Sequence, residues 1–184
     1  MAVKTTFLEQ GATFSKDKLY RYNLWRQWGS KSSGKVTFVM LNPSTADAEK
    51  FDPTVRRCFG YACDWGFGSM EVVNLFAFRS TYPDQLLKTD DPVGPDNDAF
   101  VLKAARESDL VVAAWGIHGK LHGRDLKVQR LIEGIRDLHC IGTAKAGAPL
   151  HPLHQRKSLK PVLYHNSGEK NACAYRNIPD ACIR

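Results

Sequence analysis

The stretch "KVTFVML" at residues 35–41 runs straight into "NPSTAD" at residues 42–47. Its seven residues barely alternate between apolar and polar, the pattern of a strand buried on both faces and hence of a parallel sheet covered by helices. Three more runs share the character: "MEVVNLF" (70–76), "DLVVAAW" (109–115) and "LHCIG" (138–142). The segments between them have helical period. Asp52 ahead of Pro53 makes an N-cap with proline at the first helical position, and Val55, Cys58, Phe59, Ala62 and Cys63 then form one apolar stripe. A second helix is expected from near Pro95, carrying Ala99, Val101, Leu102 and Ala105. A third is expected from Gly123, with Leu126, Val128, Leu131, Ile132 and Ile135 facing the core. Strand and helix alternate throughout, which predicts an α/β fold: a three-layer α/β/α sandwich around a mostly parallel, four-stranded sheet. Upstream, "KLYRYNLWRQW" alternates aromatic and polar residues from Leu19 to Leu24, as a strand or hairpin would.

The chain of 184 residues suits one domain, with an N-terminal strand or hairpin region (1–34), a core (35–163) and a C-terminal tail (164–184). Hydrophobic residues make up 43% and charged residues 24%, the balance of a globular protein and not of a disordered one. No stretch approaches the roughly 20 apolar residues of a membrane span, and "MAVKTTFLEQGATF" lacks the apolar core of a signal peptide, so a cytoplasmic location is expected. The five cysteines are an odd count with no C-x-x-C, which favours reduced thiols. The formal charge of +7 suits a polyanionic partner. Much of it is local: Lys145, Arg156, Lys157 and Lys160 fall in a segment without a carboxylate, and Lys120, Arg124, Lys127 and Arg130 accompany a single aspartate. A solvated helix face and a basic tail would look the same.

Ligands of open parallel α/β sheets bind outside the carboxyl ends of the strands. The segments there are "NPSTAD", "NLFAFRST", "GIHGKLHG" and "TAKAGAPLHPLHQRK", all rich in hydrogen-bonding side chains. Asn42 has no useful proton affinity, but its amide can hold a water or a substrate amide in a fixed direction, and Pro43 limits where it points. A turn that merely ends the strand is the alternative. Asn74 sits in an apolar run, where a buried amide needs partners or a crevice. Arg79 can reach a phosphate or carboxylate, or pair with Asp84. His151, held before Pro152, can donate to an anion that develops during a reaction, or simply occupy a surface turn. His118 with His122, and His151 with His154, have no third ligand of fixed spacing, and the cysteines match no standard ligand pattern, so no metal or other cofactor is expected. "AWGIHGKL" imitates a phosphate loop, but Ala114 replaces the first glycine and Leu121 the Ser/Thr.

Taken together, "FVMLNPSTAD", "DPTVRRCFGYACDWGFG", "VVNLFAFRST", "DPVGPDNDAF", "VVAAWGIHG" and "GAPLHPL" resemble a bacterial and phage family known as domain of unknown function 1643. The match runs from Tyr20 to Leu163. That family is in turn similar to the uracil-DNA glycosylase superfamily, through short motifs in the same order. "LNPS" aligns Asn42 and Pro43 with a Gly-(Ile/Met)-Asn-Pro motif whose asparagine positions water. "NLFAFRST" is similar to Asn-Met-Val-Glu-Arg-Thr-Thr, with one extra residue between Asn74 and Arg79. "HPL" matches the first two residues of His-Pro-Ser, with Leu153 in place of the serine.

The resemblance implies a glycosylase-like protein that cleaves the N-glycosidic bond of a damaged or modified base, a pyrimidine in DNA. Asn42 and His151 would be catalytic: the first orients water at C1′, the second stabilises the departing base anion. Pro43, Ser44, Asn74, Arg79, Gly116 and His118 would bind substrate, with Asn74 reading the flipped base. Lys120, Arg124, Lys145, Arg156 and Lys157 would hold nucleic-acid phosphates. Other readings are an enzyme that alters a hypermodified base or free nucleoside in the same pocket, and a non-catalytic module for modified or single-stranded nucleic acid. No membrane partner is expected, and the sequence is silent on oligomeric state.

Overall fold

The computed structural model describes residues 7–44, 52–153 and 155–165. His154, Cys173, Cys182 and most of the C-terminal tail lie outside the described residues. Among the described residues seven strands form one mixed sheet: β1 (Glu9–Phe14), β2 (Arg21–Gln27), β3 (Lys35–Met40), β4 (Ser69–Asn74), β5 (Leu110–Ala113), β6 (Leu138–Cys140) and β7 (Val162–Leu163). Their order is β1-β2-β4-β3-β5-β6-β7.

The four Val-rich runs are the parallel centre, β4-β3-β5-β6. The sheet is larger than the four strands expected. The hairpin β1–β2 extends it, with Leu24 opposite Val72 in an antiparallel pair, and the two-residue β7 pairs with the other edge at β6. A two-residue strand leaves no periodic signal to read.

Three α-helices connect the parallel strands: α1 (Pro53–Asp64), α2 (Asn97–Arg106) and α3 (Arg124–Ile132). Asp52 caps α1 as expected, its side chain accepting from Val55 N–H at 2.7 Å. Successive residues of β3 go to opposite apolar clusters. Val36, Phe38 and Met40 pack with Val55, Cys58, Tyr61 and Ala62 of α1, while Val39 packs with Val101 and Ala104 of α2 and Val128 and Ile132 of α3. Leu126 is exposed, against expectation. The buried stripe of α3 runs instead through Arg124, Asp125, Val128 and Ile132. Among the described residues no helix is long and apolar enough to cross a membrane.

The chain leaves β3 for β4 on one side and later returns from β4 across β3 to β5. The carboxyl end of β3 is therefore a topological switch point, where an open α/β sheet leaves a crevice. Asn42 and Pro43 stand at that point.

Candidate functional site

A cavity of about 430 Å³ opens at this crevice, within the range of small-ligand pockets. Its apolar lining includes Met40, Val72 and Trp115, and its polar groups come from seven separate stretches of the chain. Asn42, Ser44, Asn74, Gly116, His118 and His151 all line it. The amide after the first parallel strand and the imidazole beside Pro152, 109 positions apart in the chain, thus share one pocket.

The three central side chains are each oriented by, or placed against, defined neighbours. Asn42 Nδ2 donates to the carbonyl oxygens of Ser80 at 2.8 Å and of Pro43 at 3.2 Å. Both partners are acceptors, so the amide orientation is fixed and Oδ1 is the group left to accept a hydrogen bond. Asn74 is 2% exposed, and its buried Nδ2 has no hydrogen-bond partner among the described residues. His151 Nδ1 accepts from the backbone N–H of Leu153 at 3.2 Å, so in the neutral ring the proton sits on Nε2.

The scaffold holds these groups firmly. Asn97 Nδ2 donates to the carbonyls of Asn74 and Leu75, both at 3.0 Å, and Arg124 Nε donates to the Leu75 carbonyl at 2.7 Å. The chain therefore leaves β4 along a fixed course. The turn that delivers His151 is closed by Leu150 N–H to the Gly142 carbonyl at 2.9 Å and by the Thr143–Pro149 bridge. Downstream, Tyr61 Oη and Trp65 Nε1 of the α1 region donate to the carbonyls of Arg156 and Leu159 at 2.6 and 3.0 Å. Under the cavity, Gly119 lies so near Trp115 that an added Cβ would stand 2.1 Å from the indole.

Two charged lining residues were not expected as part of the site. Asp52, besides capping α1, accepts from Ser44 Oγ at 3.1 Å and places a carboxylate in the cavity wall. Arg21 is 3% exposed and also lines the cavity. Regular alternation from Leu24, which packs on the α1 side, would turn Tyr22 toward that face. Instead Thr13 pairs with Asn23 and Phe14 with Arg21, leaving Tyr22 as the extra residue of a bulge. Tyr22 stacks on Phe100 of α2 at 4.9 Å, and Arg21 takes its place on the cavity side. Burial pulls the Arg21 guanidinium down to about 10 and Asp52 opposes that, while Arg79 and Arg26 add to it; the group is charged at neutral pH.

Other expected residues fall elsewhere. Pro43 does not line the cavity; its carbonyl accepts from Ser80 N–H at 2.9 Å and from Asn42. Arg79 is turned away, its Nη1 donating to the Lys18 carbonyl at 2.9 Å and its guanidinium lying over the Phe14 ring at 5.1 Å. Asp84, the alternative partner expected for it, pairs with Lys88 instead. Arg124 is the clearest correction. It is 2% exposed and ion-paired with Asp98, so its charge is spent inside the fold and offers no surface contact for a phosphate. Lys120, Lys145, Arg156 and Lys157 are exposed, and Lys157 lines a second cavity with Arg56, Arg57 and Leu153. Leu121 and His122 depart from helical geometry, so His118 and His122 lack the i, i+4 relation of a metal pair.

The family model described as "Protein of unknown function (DUF1643)" matches residues 21–153, and the chain belongs to that family. No curated protein and no solved structure matches it.

Proposed function

We propose that this member of the DUF1643 family is a nucleic-acid base glycosylase-like enzyme, with the three-layer arrangement of the uracil-DNA glycosylase superfamily. Its substrate is a damaged or modified base, a pyrimidine in DNA, which leaves the stack and enters the cavity at the end of β3. The observation that supports this reading is the meeting of Asn42, Asn74 and His151 in one cavity, with Asn42 Oδ1 and Asn74 Nδ2 bearing the acceptor and donor types the reaction needs.

In the proposed reaction water attacks C1′ and the C1′–N bond breaks, its electrons leaving with the base. Asn42 Oδ1 accepts a hydrogen bond from the water and orients it. The Asp52 carboxylate stabilises the positive charge that builds on the sugar. Asn74 Nδ2 donates to a carbonyl on the base edge, and His151, protonated on Nε2, donates to the departing anion, which finally takes up a proton. Lys145, Arg156 and Lys157 are exposed and hold phosphates, a contribution that weakens with salt.

The test is incubation with oligonucleotides carrying a panel of altered bases, followed by alkali and mass spectrometry. Abasic strands from one substrate, absent with Asn42→Ala, support the reading. Intact strands of shifted mass would show base modification instead, and unchanged strands throughout would reject catalysis on nucleic acid.

A further inference from the structure

Arg21 brings a positive charge to the cavity wall that no side-chain hydrogen bond or ion pair meets among the described residues. Its buried Nε has no hydrogen-bond partner, and it forms no ion pair among the described residues. Asp52, whose charge favours the guanidinium without an ion-pair contact, accepts from Val55 N–H and Ser44 Oγ instead. Arg26 and Arg79 add positive potential rather than relieving it. A buried charge without a counter-ion destabilises a fold, and here a bulge in β2 is what turns the residue inward. A planar guanidinium with free donors fits a carboxylate or phosphate in a two-point hydrogen-bonded contact.

We propose that Arg21 is an oxyanion receptor, and that the molecule the cavity accepts carries a carboxylate or phosphate before any reaction begins. This names the class of occupant for the site of the proposed function. It rests on the cavity being the binding site and not on glycosidic cleavage. Two sources offer that chemistry: an acidic substituent on a base within a strand, and the phosphate of a free nucleotide.

The experiment measures affinity by calorimetry for matched pairs of probes: thymidine against thymidine monophosphate, and an oligonucleotide with uracil against one with 5-carboxyuracil. Wild type is expected to prefer the anionic member of one pair at least tenfold, and that pair identifies the source. Arg21→Gln is expected to erase the preference while melting no lower than wild type, because an unpaired buried charge has been removed. Arg21→Lys, which keeps charge but loses the fork, is expected to retain only part of it. Equal binding of both members of both pairs overturns the proposal. So does a preference that survives in Arg21→Gln, or a variant that changes only turnover. Anion discrimination without abasic products leaves the receptor standing and removes the glycosylase reading; abasic products without discrimination do the reverse.

Discussion

Gly116 and His151 face one another: a Cβ added to the glycine would stand 3.5 Å from His151 Cβ, in ordinary van der Waals contact. The glycine has φ 72° and ψ −166°, a conformation that other residues scarcely adopt. The loop after β5 and the turn before Pro152 are thus fitted to one another across the cavity mouth. Gly116→Ala is expected to cost about 1–3 kcal/mol of stability through backbone strain alone. Relief of that strain moves the loop that faces His151, so turnover falls by more than the loss of folded protein explains. Thermal melts alongside single-turnover rates on the same preparation separate the two effects.

His151→Phe keeps the ring's bulk and removes both nitrogens. If Nε2 donates to a developing anion, the rate falls about 10²–10³-fold with little change in affinity for the substrate strand, as for other donors of this kind. An equal loss of affinity and rate would mean that His151 only holds the ground state.

Asn42→Ala deletes two hydrogen bonds to main-chain carbonyls as well as the acceptor Oδ1. A stability loss of about 1–2 kcal/mol is expected from those bonds. Nucleic-acid affinity, measured by fluorescence anisotropy, should stay within a few-fold of wild type while turnover disappears.

Arg124 and the surface cations should behave oppositely. Arg124→Met leaves the Asp98 carboxylate without its main partner and the Leu75 carbonyl without a donor, so melting falls while the salt dependence of binding is unchanged. A Lys145→Glu, Lys157→Glu double variant should melt normally and bind with a shallower salt slope.

The Asp98–Arg124 pair also predicts a pH dependence. Burial pushes the Asp98 carboxyl up, but Arg124 and Lys127 outweigh it and hold it below 3.8. A depressed carboxylate contributes stability above its unfolded value and loses it as pH falls through the folded value. Asp98→Asn is therefore expected to melt lower than wild type at pH 7, with the gap closing below about pH 4. A gap that stays constant down to pH 2 would show that charge is not the cause.

The parallel strands were legible because burial on both faces leaves Val-rich runs, and α1 because Asp52-Pro53 is a start signal with a mechanism. The meeting of Asn42, Asn74 and His151 followed from one rule, that strand ends converge. Arg21 was hidden by a bulge: alternation in "YRYNL" puts Arg21 and Asn23 on one face and Tyr22 with Leu24 on the other, and one extra residue exchanges the faces of Arg21 and Tyr22. Arg124 was misread because an arginine near the start of a helix looks the same whether it faces solvent or reaches back to Asp98 and a main-chain carbonyl. β7 is simply too short to carry a period.

The central claim, that a nucleobase enters the cavity at the end of β3, is tested most directly by NMR of the Asn74 side-chain amide during titration with an altered-base oligonucleotide. The account predicts that this orphan NH₂ moves strongly downfield as it gains an acceptor, together with the backbone amides of Asn42 and Gly116. Shifts confined to Lys145, Arg156 and Lys157, with the Asn74 signal unmoved at saturation, would contradict it: the strand would then be held on the surface with every base outside.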